Sequence, residues 1–343
     1  MSHRYRAVGW NPQKLAYDRT IALAVTSGLG IAAAGTAVLN PAATLETILL
    51  RSTALTALVL LHAVLSIGPL CRLDRRLLPL LYNRRHLGVT MFLVAAAHGV
   101  LAIVQFHAGG DAHPLVSLLT TSRDWSSAER FPFQIAGALA LGVLVVMAAT
   151  SHDFWLRTLT APVWKTLHMG VYVAYAAIVV HVAFGALQSE APPAAAWLLG
   201  VGIVWLATLH TLAAHREARN DRSVPAGVSW VDAGPAAAIP DGRARIVCAA
   251  GERIAVFRYG TQVSAVSNVC QHQNGPLGEG KIVGGCIVCP WHGFEYRPDT
   301  GASPPPFTEA VPTFRTRIVD GRVFVDPRPL SPGTWIEPAR LEP

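Results

Sequence analysis

Six apolar stretches, each near the length needed to cross a lipid bilayer, constrain this chain more than any other feature. They run over about residues 20–39, 51–70, 87–106, 132–151, 165–187 and 194–213. A spanning helix needs about 20 predominantly apolar residues, so each predicts one crossing. Only 14% of the chain is charged, and the mean hydropathy is +0.37, both too apolar for an ordinary soluble protein. The first stretch follows Arg4, Arg6, Lys14 and Arg19, as a signal peptide would. It is long, however, and no small-residue cleavage site follows it, which favours a retained helix.

Lys and Arg concentrate in alternate connections. Four precede the first stretch; Arg72, Arg75, Arg76, Arg84 and Arg85 follow the second; two lie in 152–165; Arg216, Arg219 and Arg222 follow the sixth. The other side carries Arg51, Arg123 and Arg130. The positive-inside rule then predicts both termini in the cytoplasm of a multi-pass protein of the bacterial inner membrane. The net charge of +7 is explained by this topology and by anionic lipid, not by a nucleic-acid partner.

Beyond residue 213 the character changes. Residues 216–227 read as a linker, and short β-like runs follow at 243–248, 253–258, 262–267, 281–288, 314–319 and 322–325. Asp320-Gly321 between the last two is a hairpin signal. The expected fold is therefore multidomain: a six-helix transmembrane bundle (1–215), a linker (216–227), a small all-β domain (228–330) and a C-terminal tail (331–343).

Of the five cysteines, Cys71, Cys248, Cys270, Cys286 and Cys289, three fall within twenty residues, which suggests metal chemistry and not a disulfide framework. The stretch reads Cys270-Gln-His272, then Cys289-Pro-Trp-His292-Gly293. Two loops that each offer one Cys and one His suit a mixed [2Fe–2S] centre, with two thiolates on one iron and two imidazoles on the other. Zinc would accept the same donors, but Cys-x-His is an unusual zinc spacing. Cys286, Cys71 and Cys248 read as bystanders.

Within the apolar half, ionisable residues are costly and mark function. His86 and His98 lie in the third stretch, His168 and His181 in the fifth. The spacings put the members of each pair about 18–20 Å apart along a helix. Because the two helices run the same way, His86 is level with His168 and His98 with His181. Two cross-helix pairs would ligate two b-type haems. His62 is unpaired and reads as lying near a quinone or a haem edge. His107, His113, His152, His210 and His215 read as solvated.

CQHQNGPLGEG…CPWHGFEY resembles Rieske ferredoxins and the Rieske domains of aromatic-ring oxygenases over about residues 228–328. Respiratory Rieske proteins carry an extra cysteine in each loop; here Trp291 stands at the second-loop position, which suits a reducing compartment. They also have a Ser where this chain has Phe294, while Tyr296 keeps the second expected hydroxyl. Fewer donors to sulfur imply a potential in the lower part of the Rieske range. Residues 15–213, with Asn83-Arg84-Arg85-His86-Leu87-Gly88 and Ala97-His98, resemble the ferric reductase-like transmembrane family, most of all the haem subunit of the bacterial methionine-sulfoxide reductase system. In that group the position of His86 is usually apolar.

Flavin and nicotinamide sites, which some members of that family carry, are missing. Gly28-Leu-Gly30, a Gly-x-Gly triplet, lies inside an apolar stretch and follows no strand. The chain is therefore expected to be an oxidoreductase dependent on a separate cytoplasmic reductase or ferredoxin. Single electrons would pass through the cluster and haems to a periplasmic acceptor protein, a quinone or another membrane acceptor. A redox sensor or assembly module remains an alternative. So does a Rieske oxygenase, although its two-His-one-carboxylate iron site is not evident.

Overall fold

The computed structural model describes residues 12–74, 76–77, 80, 84–120, 125–151, 155, 159, 161–188, 194–220, 229–249, 251–272, 275–290 and 293–341. They divide into two compact units, a helical one lying within residues 10–211 and a second that holds every strand.

The helices are α1 (Pro12–Leu39), α2 (Leu45–Leu73), α3 (Arg84–His107), α4 (Pro114–Thr120), α5 (Phe133–Ala149), α6 (Ala161–His168), α7 (Gly170–Leu187) and α8 (Ala194–Asn220). Five spans, Leu15–Leu39, Leu45–Leu73, Arg84–His107, Thr166–Leu187 and Ala194–Arg219, are long and apolar enough to cross a membrane. The remaining expected crossing, the fourth in chain order, is α5, a shorter apolar helix of 17 residues, at the lower limit for a bilayer. In the expected fifth crossing α6 and α7 meet at Met169, whose φ of −65° and ψ of −16° stay helical, so the span Thr166–Leu187 runs through it. Large apolar side chains such as Leu23, Val100, Trp197 and Val204 are exposed on these helices, which in lipid is the satisfied state.

Inside the bundle, Ala57, Leu60 and Leu61 of α2 pack with Met91 and Val94 of α3, Leu144 of α5 and Ala174 of α7. Small residues let the backbones approach. A Cβ on Gly99 of α3 would come within 2.7 Å of Leu141 on α5.

The second unit comprises β1 (Val231–Pro235), β2 (Arg243–Ala249), β3 (Glu252–Tyr259), β4 (Gln262–Ser267), β5 (Lys281–Val283), β6 (Cys286–Val288), β7 (Glu295–Tyr296), β8 (Thr313–Phe314), β9 (Thr316–Val319), β10 (Arg322–Val325) and β11 (Ala339–Arg340). They form three sheets, ordered β1-β10-β9, β11-β4-β3-β2 with β8 also on β4, and β5-β6-β7. The central sheet is covered on both faces, because strand side chains alternate. Ile254 and Val256 of β3 enter one core with Val323 and Val325, and Ala255 and Phe257 enter the other with Ile287 and Tyr296. The second core is the one that carries the two cysteine loops.

The hairpin expected at Asp320-Gly321 joins β9 to β10, and both turn residues have positive φ, 49° and 70°, the type I′ requirement. The run expected as one strand over 281–288 is instead a hairpin of β5 and β6, turned by Gly284 and Gly285 at positive φ. Two regions depart from the expected domain plan. Residues 216–220 continue α8, and residues past 330 are no free tail, since β11 pairs with β4.

Candidate redox sites

Each candidate cysteine stands at the base of a tight loop closed in the same way. The Cys270 N–H donates to the Gly275 carbonyl at 2.9 Å, and the Cys289 N–H to the Phe294 carbonyl at 2.8 Å. Neighbouring bonds pin the loop ends. The Asn268 carbonyl accepts the Leu277 N–H at 2.9 Å, and its side-chain oxygen accepts the Gly278 N–H at 2.7 Å. Gly293, whose N–H reaches the Cys289 carbonyl at 3.0 Å, takes a positive φ of 71°, a conformation that favours glycine.

Cys270 and Cys289, nineteen positions apart in sequence, enter one buried core together with Phe294, Tyr296 and Leu277. His272 is buried beside it, its ring stacked on Phe294 at 5.0 Å with an interplanar angle of 10°. Phe294 in turn leans on Tyr296 and Phe307. His292 lies outside the described residues. Among the described residues no three His, Cys, Asp or Glu side chains could hold one metal ion; a mixed centre asks only two protein ligands of each iron. The donor types and the shared core therefore suit such a cluster.

Tyr296 is the hydroxyl beside the sulfur. Its Oη accepts the Gln271 N–H at 3.0 Å, which commits a lone pair and leaves the phenolic proton for Cys270 Sγ, 3.4 Å away. Burial, and then the charge of Cys270, pushes the phenol far above its ordinary range, so it stays a donor. Tyr296→Phe removes that donor, and the reduced cluster, which carries more charge on sulfur, loses more than the oxidised one. A differential of about 1 kcal/mol for a hydrogen bond lowers a one-electron potential by roughly 40 mV. Redox titration followed by EPR measures this; an unchanged or raised potential would show that the hydroxyl does not act on the sulfur.

Cys286 on β6 is not part of that core. Burial and then the Glu295 carboxylate raise its pKa, which keeps it a neutral thiol and agrees with a bystander role.

In the helical unit, His98 of α3 and His181 of α7 face each other with ring centroids 6.3 Å apart and planes at 74°. His98 Nδ1 bonds the Leu50 carbonyl at 3.1 Å and His181 Nδ1 the Phe133 carbonyl at 3.0 Å. A carbonyl only accepts, so each Nδ1 carries the proton and each Nε2 keeps its lone pair. Metal–imidazole bonds of about 2 Å on each side, with roughly 1.2 Å from nitrogen to ring centroid, sum to about 6.4 Å. The observed separation therefore leaves room for a metal that both imidazoles would hold.

His86 and His168 have other partners. His86 Nδ1 meets both carboxylate oxygens of Asp18 on α1, at 2.9 and 3.0 Å. His168 Nδ1 bonds the Trp164 carbonyl at 3.0 Å, its Nε2 lies 3.4 Å from Ser151 Oγ, and its ring stacks on Trp164 at 3.6 Å. Matched depth is not matched azimuth. The twelve residues from His86 to His98 leave the two side chains about 120° apart around a straight helix.

His62 is fully engaged: Nδ1 with the Leu58 carbonyl at 2.8 Å and Nε2 with the Tyr175 hydroxyl at 3.0 Å. Tyr175, which sequence reasoning did not single out, therefore donates to it. His107, expected to be solvated, is 4% exposed and bonded to Ser117. His113 and His215 are exposed, and His210 is half-buried with its Nδ1 on the Leu206 carbonyl. His152 lies outside the described residues.

Comparisons with known proteins agree with this division. Residues 229–315 match the Rieske [2Fe-2S] domain family, and residues 51–179 match the ferric reductase like transmembrane component. Over 79 residues the chain is 42% identical to the ferredoxin subunit of anthranilate 1,2-dioxygenase from Burkholderia cepacia, a match covering 22% of this chain and 73% of that protein. It is 35% identical to cholesterol 7-desaturase of Xenopus laevis over 28% of this chain and 23% of that much longer protein. A solved complex of reduced oxygenase and oxidized ferredoxin in carbazole 1,9a-dioxygenase aligns at 30% identity, covering 30% of this chain and 96% of the matched one, with a TM-score of 0.28. The chain thus belongs to the Rieske [2Fe-2S] family through its C-terminal domain, joins that domain to a ferric reductase-like transmembrane component, and is a membrane electron-transfer oxidoreductase.

Proposed function

We propose that the protein moves single electrons from a cytoplasmic reductase or ferredoxin, by way of a Rieske cluster, to b-type haem in the bilayer and on to a periplasmic protein, a quinone or another membrane acceptor. Cys270, His272, Cys289 and His292 would hold the cluster, and His98 and His181 the haem. When bound, both groups supply one-electron redox chemistry; the protein supplies position and tuning. The observation that carries the reading is the facing of His98 and His181 at 6.3 Å, each fixed by a backbone carbonyl, in a chain that also bears a Rieske domain.

The residues contribute in distinct ways. Leu50 and Phe133 carbonyls set the tautomers, so both Nε2 lone pairs remain available. The apolar walls of α2, α3, α5 and α7 exclude water. Tyr296 donates to sulfur. A second haem between His86 and His168 would require His168 Nε2 to give up Ser151, so the geometry supports one haem more directly than two. The orientation, with both termini and the Rieske domain in the cytoplasm of a bacterial cell, rests on the Lys and Arg distribution. For an oxygenase, a carboxylate and two histidines would have to meet at one iron, and the described residues offer no such group.

Anaerobic rapid mixing of the purified, intact protein with reduced ferredoxin tests the route. The cluster band is expected to bleach first and the haem Soret band to shift afterwards. A cluster that stays reduced beside oxidised haem would reject electron passage, and would favour a sensing role.

A further inference from the structure

The imidazole of His181 leans on a helix face that lacks a side chain. A Cβ placed on Gly137 of α5 would lie 2.7 Å from His181 Nδ1, 2.8 Å from Cε1 and 3.2 Å from Cγ. Contacts under 3.0 Å are not tolerated, so the ring would have to move. The ring is held there because its Nδ1 reaches the Phe133 carbonyl at 3.0 Å, and Phe133 sits one helical turn before Gly137 on the same helix. That carbonyl is at the start of α5, and the imidazole approaches it along the groove that Gly137 leaves open. Phe133 supports the ring from the side as well, with centroids 5.4 Å apart.

We infer that Gly137 is a positioning residue for the His181 imidazole: it clears the space through which Nδ1 docks on Phe133, and so sets the direction of Nε2 and the angle between the two facing rings. The inference rests on the haem reading given above. It goes beyond that reading because it assigns the ring angle to a residue that touches neither metal nor acceptor. The other glycine of α5 does not share the role: a Cβ on Gly142 meets nothing within 4 Å.

The test compares Gly137→Ala with Gly142→Ala in the full-length protein, using haem content, haem EPR and haem midpoint potential. Near-perpendicular axial imidazoles give a low-spin ferric haem a strongly anisotropic spectrum, so the largest g value reports the ring angle. Gly137→Ala is expected to shift that g value and to weaken haem retention by about tenfold, the scale of losing a supporting contact to a ligand. Gly142→Ala is expected to leave all three readouts as in the parent. Unaltered g values and potential in Gly137→Ala would overturn the inference.

A double-mutant cycle separates positioning from helix packing. In a His181→Ala background the alanine at 137 has no ring to meet, so its effect on the melting of the helical unit should vanish. An equal loss with and without His181, including failure of both variants to accumulate, would assign Gly137 to packing and overturn the inference. His98→Ala and His181→Ala serve as the separate check on the haem reading: retention of haem by both would reject that reading, whatever Gly137→Ala does.

Discussion

Replacing His98 or His181 by alanine is expected to strip the protein of b-type haem absorbance while leaving the Rieske EPR signal at full intensity. Each imidazole offers one Nε2 lone pair, and among the described residues no group of three candidate ligands stands ready to take its place. His62, a buried histidine of α2, has both ring nitrogens committed to Leu58 and Tyr175. Haem retained through purification should fall by more than about tenfold, since removal of a ligand exceeds the 10–100-fold cost of disturbing its supporting partners. Pyridine haemochrome assay against cluster iron gives the ratio directly. His86→Ala and His168→Ala complete the series. If these variants lose part of the haem, a second haem occupies the other end of the bundle. If it is unchanged, His86 serves the Asp18 contact and His168 the Trp164 stack.

The same histidines show where sequence reasoning reaches and where it stops. Axial depth follows from residue count at a fixed rise, and it correctly levels His98 with His181. Azimuth needs the whole rotation, and the twelve-residue spacing that looks like a repeat turns His86 toward α1, where Asp18 waits. Asp18 lies among basic residues at the start of the first apolar stretch, with no local signal of a partner on α3. Tyr175 likewise gives no motif; only the fold brings its hydroxyl to His62. In the β unit the positions whose chemistry is local were legible: the Asp320-Gly321 turn and the two cysteine loops. Strands β7 and β11, each of two residues, have no periodicity to detect, because they exist only through pairing with distant partners. The Gly284-Gly285 turn was readable in principle, but eight apolar-rich residues outweighed it as a single run.

Replacing Cys270 or Cys289 by alanine is expected to abolish the [2Fe–2S] EPR signal and to uncouple haem from its cytoplasmic donor, although dithionite should still reduce the haem. Both thiols are buried, at 0% and 2% exposure, inside the core that closes the second unit, so the effect reaches beyond redox chemistry. Cluster binding energy is folding energy wherever the site forms only on folding. Each loop is closed on itself by a cysteine N–H bond, and the iron would add the tie of one loop to the other. The β unit of either variant should therefore melt roughly 10 °C or more lower, the shift that about 2 kcal/mol produces in a domain of this size, while the helical unit keeps its haem. Differential scanning calorimetry, with visible absorbance followed in parallel, distinguishes the two transitions. A variant that lost the cluster yet still accepted electrons from reduced ferredoxin at the parental rate would mean that the donor reaches the haem directly. The Rieske domain would then be a sensor beside the path and no longer a link in it, so this measurement decides between the two roles in one experiment.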